Sequence, residues 1–71
     1  MADVKSKMPS VIVSIDVAVG DAVERGTKLA VCEAMKMKND VPSPAAGTVK
    51  SIEVKEGDRV KAGGLIMVIE E

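Results

Sequence analysis

One pattern occurs twice in this chain, and it limits the possible folds more than any other feature. Val17-Ala18-Val19-Gly20-Asp21-Ala22-Val23-Glu24-Arg25-Gly26 and Val54-Lys55-Glu56-Gly57-Asp58-Arg59-Val60-Lys61-Ala62-Gly63 share the form Val-x-x-Gly-Asp-x-Val-x-x-Gly. A shift of 37 residues carries Gly20 onto Gly57. The same shift carries Ser14-Ile15 onto Ser51-Ile52, Val31 onto Val68 and Glu33 onto Glu70. A register held this long without a gap marks internal pseudo-symmetry.

Each copy reads as strand, turn, short strand, turn, strand. Ile15/Val17 and Ile52/Val54 alternate with polar neighbours, which predicts a strand opening each copy. The Gly-Asp pair then turns the chain, with glycine free to take positive φ. A short extended piece follows around Val23 or Val60, and Gly26 or Gly63 turns the chain again. Leu29–Cys32 and Leu65–Ile69 are apolar runs that predict buried strands. Pro42 and Pro44 cannot donate to a ladder, so they belong at a strand edge or turn. No helical periodicity exceeds a turn. Two such units, each too small to fold alone, are expected to pack face to face as an all-β flattened barrel or sandwich.

Composition narrows the function. The 71 residues predict a single domain, residues 1–71, with a core built without Phe, Trp or Tyr. A chain this short buries only about 60% of its unfolded surface and has little stability to spare. Val, Ile, Leu, Met and Ala must fill the core, and the β-branched share favours strands. Net charge is −1 with both signs interspersed, so there is no clustered basic face for nucleic acid. Cys32 is the only cysteine, which excludes an internal disulfide and fits a reducing, cytoplasmic setting. It reads as a small buried residue rather than a reactive thiol. Met1–Lys7 shows no apolar signal-peptide core, and no stretch approaches a membrane span. Without histidine, Ser-His-Asp and Cys-His catalysis and His-bearing metal sites are excluded within the chain. Asp21 and Asp58 read as turn residues, so no catalytic group and no metal ligand is assigned.

Between the copies lies Glu33-Ala34-Met35-Lys36-Met37. Leu29–Glu33 and Met37–Val41 are expected to be strands, joined tightly at Ala34-Met35-Lys36. No Gly, Asn or Asp marks that turn, so the repeat alone argues for it. Shifting Lys36 by 37 residues passes just beyond Glu71, which makes the tip the pseudo-equivalent of the chain ends. A two-fold relation then places the tip at one end and both termini at the other. A hairpin tip has no core to fill, so core packing does not explain Met35 and Met37. Exposed thioethers suit surfaces that fit several partners.

With this motif set between two Val-x-x-Gly-Asp-x-Val-x-x-Gly units, the chain resembles the biotinyl-carrier domain of biotin-dependent carboxylases and decarboxylases, from about Val11 to Glu70. The resemblance implies two four-stranded antiparallel sheets with pseudo-two-fold symmetry. It implies biotin in amide linkage to Lys36, attached by a biotin protein ligase that presents biotinyl-adenylate to the amine. It also implies a biotin carboxylase and a carboxyltransferase as partners, and a carrier that is monomeric alone and does no chemistry of its own. Met35 and Met37 then fit the tip into partner sites, and Ala34 is needed for its small size. Glu33 is either part of the recognition motif or structural, since Glu70 repeats it with no lysine nearby. Lys38 is the rival attachment residue, but it falls in the strand.

The chain departs from the family at Lys7-Met8-Pro9-Ser10, where a Pro-Met-Pro-Gly-like turn is usual. The gapless shift also leaves no room for the inserted thumb that some biotinyl domains carry. Two other functions stay open. A lipoyl carrier shares fold and repeat but usually shows Asp-Lys-Ala at its tip, and an unmodified interaction module could use the same barrel. The acceptor of the carboxyl group cannot be read from the chain.

Overall fold

Eight strands carry the chain in the computed structural model, which describes residues 1–71. They are β1 (Ala2–Lys5), β2 (Ser10–Ile15), β3 (Ala22–Val23), β4 (Lys28–Ala34), β5 (Met37–Pro42), β6 (Gly47–Ile52), β7 (Arg59–Val60) and β8 (Leu65–Glu70). They form two four-stranded sheets, ordered β1-β8-β6-β3 and β5-β4-β2-β7. Every pairing is antiparallel. The expected all-β architecture of two four-stranded sheets is therefore present. No helix is long and apolar enough to cross a membrane.

The shift of 37 residues carries β2 onto β6 and β3 onto β7. The short strands are exchanged: β3 joins the sheet of β6, and β7 joins the sheet of β2. The backbone repeats this exchange bond for bond. Gly20 N–H donates to Val49 O at 2.8 Å, and Gly57 N–H donates to Ile12 O at 2.8 Å. Each copy's Gly-Asp turn is thus fastened to the other copy's strand, which is why neither unit can satisfy its hydrogen bonds alone. Asp21 Oδ2 accepts the Ala18 N–H at 2.9 Å and Asp58 Oδ2 accepts the Lys55 N–H at 3.0 Å, so both aspartates close turns as expected. The glycines beside them have φ 96° and 90°.

One hydrophobic cluster lies between the sheets. Ile12, Leu29, Val49, Ile66, Met67 and Ile69 are its most enclosed large side chains. Burying each contributes about 1.5–3 kcal/mol. Cys32 is buried and free, as expected, and occupies the place that Ile69 fills in the second copy.

Three details differ from the expected strands. Val17 and Val54 lie beyond the ends of β2 and β6, although both pack against the core. The ladders bulge between Ile12 and Ser14 and again between Val49 and Ser51, which ends the simple alternation early. Leu65 opens β8 half-exposed rather than buried. The third difference is β1, an edge strand that Met1–Lys7 was not expected to form. It pairs along β8 from Ala2↔Ile69 to Lys5↔Leu65.

Ser10 stands where a glycine was expected, at the start of β2, and its hydroxyl donates to Met8 O at 2.9 Å. Its equivalent in the second copy is Gly47, where a Cβ would collide with the Glu70 carbonyl oxygen. The two copies thus make different demands at the same position. Pro42 ends the edge strand β5, where its missing donor costs no ladder bond.

Candidate functional site

The hairpin of β4 and β5 pairs Ala34 with Met37, leaving Met35 and Lys36 alone in the loop. Both have positive φ, 53° for Met35 and 66° for Lys36. Two left-handed residues in a two-residue loop are the hallmark of the type I′ turn, whose twist matches the strands it joins. Asn-Gly or Asp-Gly normally fills such turns, because a Cβ is disfavoured there. Each non-glycine residue held this way costs about 1 kcal/mol or more. Met35-Lys36 therefore occupies a turn that its own chemistry does not favour, and sequence reasoning had no local signal for its geometry.

The tip is open to solvent. Met35 is 87% exposed and Met37 66%, the first of these higher than for any other large apolar residue in the chain. Lys36 and Lys38 are both exposed. Neither lysine takes part in the three ion pairs of the structure. Neither of the two main surface grooves is lined by Met35, Lys36 or Met37, so the tip is convex. A convex tip can offer an amine to another protein's cavity but cannot enclose a ligand itself.

The other expected residues take distinct places. Ala34 is buried at the end of β4, beneath the turn, where a larger side chain would have to displace its surroundings. Lys38 lies in β5, directly across from Glu33. It sits in regular strand backbone, outside the turn. Glu33 is exposed, and the second copy provides an internal comparison for it. Its counterpart Glu70 is held 3.9 Å from Lys50 Nζ. The residue equivalent to Lys50 in the first copy is Val13, and Glu33 makes no ion pair. The exposed pair that Glu70 makes thus has no counterpart at Glu33.

A family model described as biotin-requiring enzyme matches residues 2–69. This chain belongs to that biotin/lipoyl family. Within the family, the chain is 44% identical over 66 residues to the human mitochondrial propionyl-CoA carboxylase alpha chain, covering 93% of this chain and 9% of that one. It is 42% identical over 62 residues to the biotin carboxyl carrier protein of Streptococcus mutans, covering 87% of this chain and 48% of that one. It therefore spans less than half the length of either relative. Among solved structures, the Kluyveromyces lactis urea carboxylase matches with a TM-score of 0.91 at 36% identity, covering 97% of this chain and 6% of that chain. The lipoyl domain of the Azotobacter vinelandii 2-oxoglutarate dehydrogenase complex matches with a TM-score of 0.85 at 25% identity, covering 100% of this chain and 98% of that one.

Lys36 is free to react with a group brought to it from outside. Its amine is exposed, has no ion-pair partner and stands at a convex turn, so nothing in the chain blocks acylation or crowds the product.

Proposed function

We propose that residues 1–71 form one biotin carboxyl carrier domain, with biotin joined to Lys36 by an amide bond. The observation that carries this reading is the strained, exposed Met35-Lys36 turn, with the lysine held between two exposed methionines. The family and the carboxylase relatives support it.

The chain's own residues present, anchor and stay clear. β4 and β5 fix the base of the turn through a ladder from Lys28↔Pro42 to Ala34↔Met37. Acylation of Nζ removes the lysine charge and leaves a long flexible stem, so reach comes from the side chain while the barrel stays rigid. Bound biotin supplies a ureido nitrogen that takes up and gives back a carboxyl group. Tethering raises the effective concentration of that group at two partner sites in turn.

Met35, Met37 and Glu33 form the exposed recognition surface around Lys36 that a biotin protein ligase reads, and the buried Ala34 belongs to the motif through its small size beneath the turn. A biotin carboxylase and a carboxyltransferase are the further partners, and the carrier is a non-catalytic cytoplasmic monomer. A lipoyl carrier is the competing reading, favoured by the shared fold with a lipoyl domain. Met35-Lys36-Met37 argues against it, because lipoyl tips usually read Asp-Lys-Ala.

The test is the intact mass of the chain after incubation with biotin, ATP and a biotin protein ligase, with Lys36→Arg in parallel. One biotinyl group on the parent and none on the variant is expected. Label on Lys36→Arg would move the site to Lys38 or another lysine. Refusal of biotin with acceptance of lipoate from a lipoate ligase would establish the lipoyl reading instead.

A further inference from the structure

Of the chain's five methionines only Met67 is enclosed, and Met1 (70%) and Met8 (44%) are exposed but lie outside the tip. Met67 is fully enclosed in the core, whereas Met35 is 87% and Met37 66% exposed, one on each side of Lys36. The tip has no other large apolar side chain, because Glu33 and Lys38 face each other below it and Ala34 is buried. Any apolar contact a partner makes around Lys36 therefore falls on these two thioethers.

Thioether sulfur is the readily oxidised atom of such a side chain, and exposure governs how fast an oxidant reaches it. We propose that Met35 and Met37 are a paired oxidation site through which peroxide controls loading of Lys36. This rests on the carrier reading above. In the step, a sulfur lone pair attacks one oxygen of hydrogen peroxide. The O–O bond breaks, an S–O bond forms, and water leaves. Sulfur loses two electrons and the peroxide gains them.

The product is a polar, chiral sulfoxide where the tip had a flexible apolar arm. Both side chains are exposed, so the barrel is expected to survive while the contact surface changes character. A partner cavity fitted to thioethers would then have to desolvate a sulfoxide oxygen on each side of the lysine. The change is reversible, because methionine sulfoxide reductases use thiols to return the sulfide. Met67 sits in the same chain as an internal reference, protected as long as the sheets stay closed.

The experiment treats the chain with graded hydrogen peroxide, quenches it, and maps sulfoxides by peptide mass. Biotin uptake is then timed by intact mass with ligase, biotin and ATP. Met35 and Met37 are expected to oxidise well before Met67, with the uptake rate falling roughly tenfold, the effect of desolvating an unpaired polar group. Treatment with methionine sulfoxide reductases is expected to restore it. A Met35→Leu, Met37→Leu variant keeps Cys32 and the other methionines. Whatever its starting rate, peroxide is expected to lower it no further. Parental uptake by a chain shown to carry both sulfoxides would overturn the proposal. So would an equal peroxide loss in the double-leucine variant, which would move the effect to Cys32, Met1 or Met8. If the untreated chain takes up no biotin at all, the carrier reading itself fails and this inference falls with it.

Discussion

Met35 and Lys36 are consecutive residues in the same left-handed conformation, with φ 53° and 66°, and neither is a residue type that favours it. A turn that needed only to reverse the chain would hold Asn-Gly or Asp-Gly. On the proposed function, the strain here is set against recognition of a lysine between methionines.

Replacing Met35 with Asn is therefore expected to stabilise the fold, by up to about 1 kcal/mol, because Asn tolerates the left-handed region. The same variant is expected to take up biotin more slowly, since it loses one of the two exposed thioethers. Urea denaturation gives the first quantity and intact mass the second. A clear loss of stability would mean that the turn is not left-handed in solution.

Replacing both Met35 and Met37 with Leu tests the exposure of the tip. Stability is expected to stay within about 0.5 kcal/mol, as for surface positions. A drop beyond that range in the denaturation midpoint would show the methionines packed against the barrel.

Gly47 and Ser10 occupy equivalent positions in the two copies and should respond differently. Gly47→Ala is expected to cost about 1–3 kcal/mol, because the new Cβ meets the backbone carbonyl of Glu70 rather than the end of a flexible side chain. Ser10→Ala forfeits the bond to Met8 O and is expected to cost about 1 kcal/mol. Paired thermal melts decide it, and an equal or reversed order would contradict the close approach of β6 to the end of β8.

Leu29 and Ile66 are related by the repeat and are both fully buried. Truncating either to Ala is expected to cost about 2–5 kcal/mol. At roughly 0.05–0.15 kcal/mol per residue the whole domain holds about 4–11 kcal/mol, so either variant should lose a large share of its stability and melt at a markedly lower temperature. Loss of cooperative unfolding in one variant but not in the other would show that the two copies do not share a single core.

Much of this architecture was legible because one shift of 37 residues relates β2 to β6 and β3 to β7. The strand β1 was legible too, but only by carrying the shift further back. Val4 maps onto Val41 and Ser6 onto Ser43, and all four are buried. The two serines even make the same bond, each hydroxyl donating to the carbonyl two residues on, Met8 O and Ala45 O. Local alternation hid this, since Asp3, Lys5 and Lys7 give the segment a polar look. At the site, the placement of Lys36 between two strands could be read from the repeat. The left-handed turn could not, because Met-Lys has no preference for it and only the ladder from Ala34↔Met37 downward imposes it.

The pairing of β1 with β8 has a consequence for how the molecule comes together in time. Ala2 lies beside Ile69, so that ladder closes a loop of nearly the whole chain, whereas the lysine-bearing hairpin pairs Ala34 with Met37 across two residues. Loop-closure entropy makes the hairpin an early, inexpensive contact and the β1–β8 ladder a late one. On a growing polypeptide, the hairpin is complete well before the strand that completes the opposite sheet has been synthesised. The turn that holds Lys36 is thus assembled first locally, and the rigid body beneath it sets only when β8 arrives.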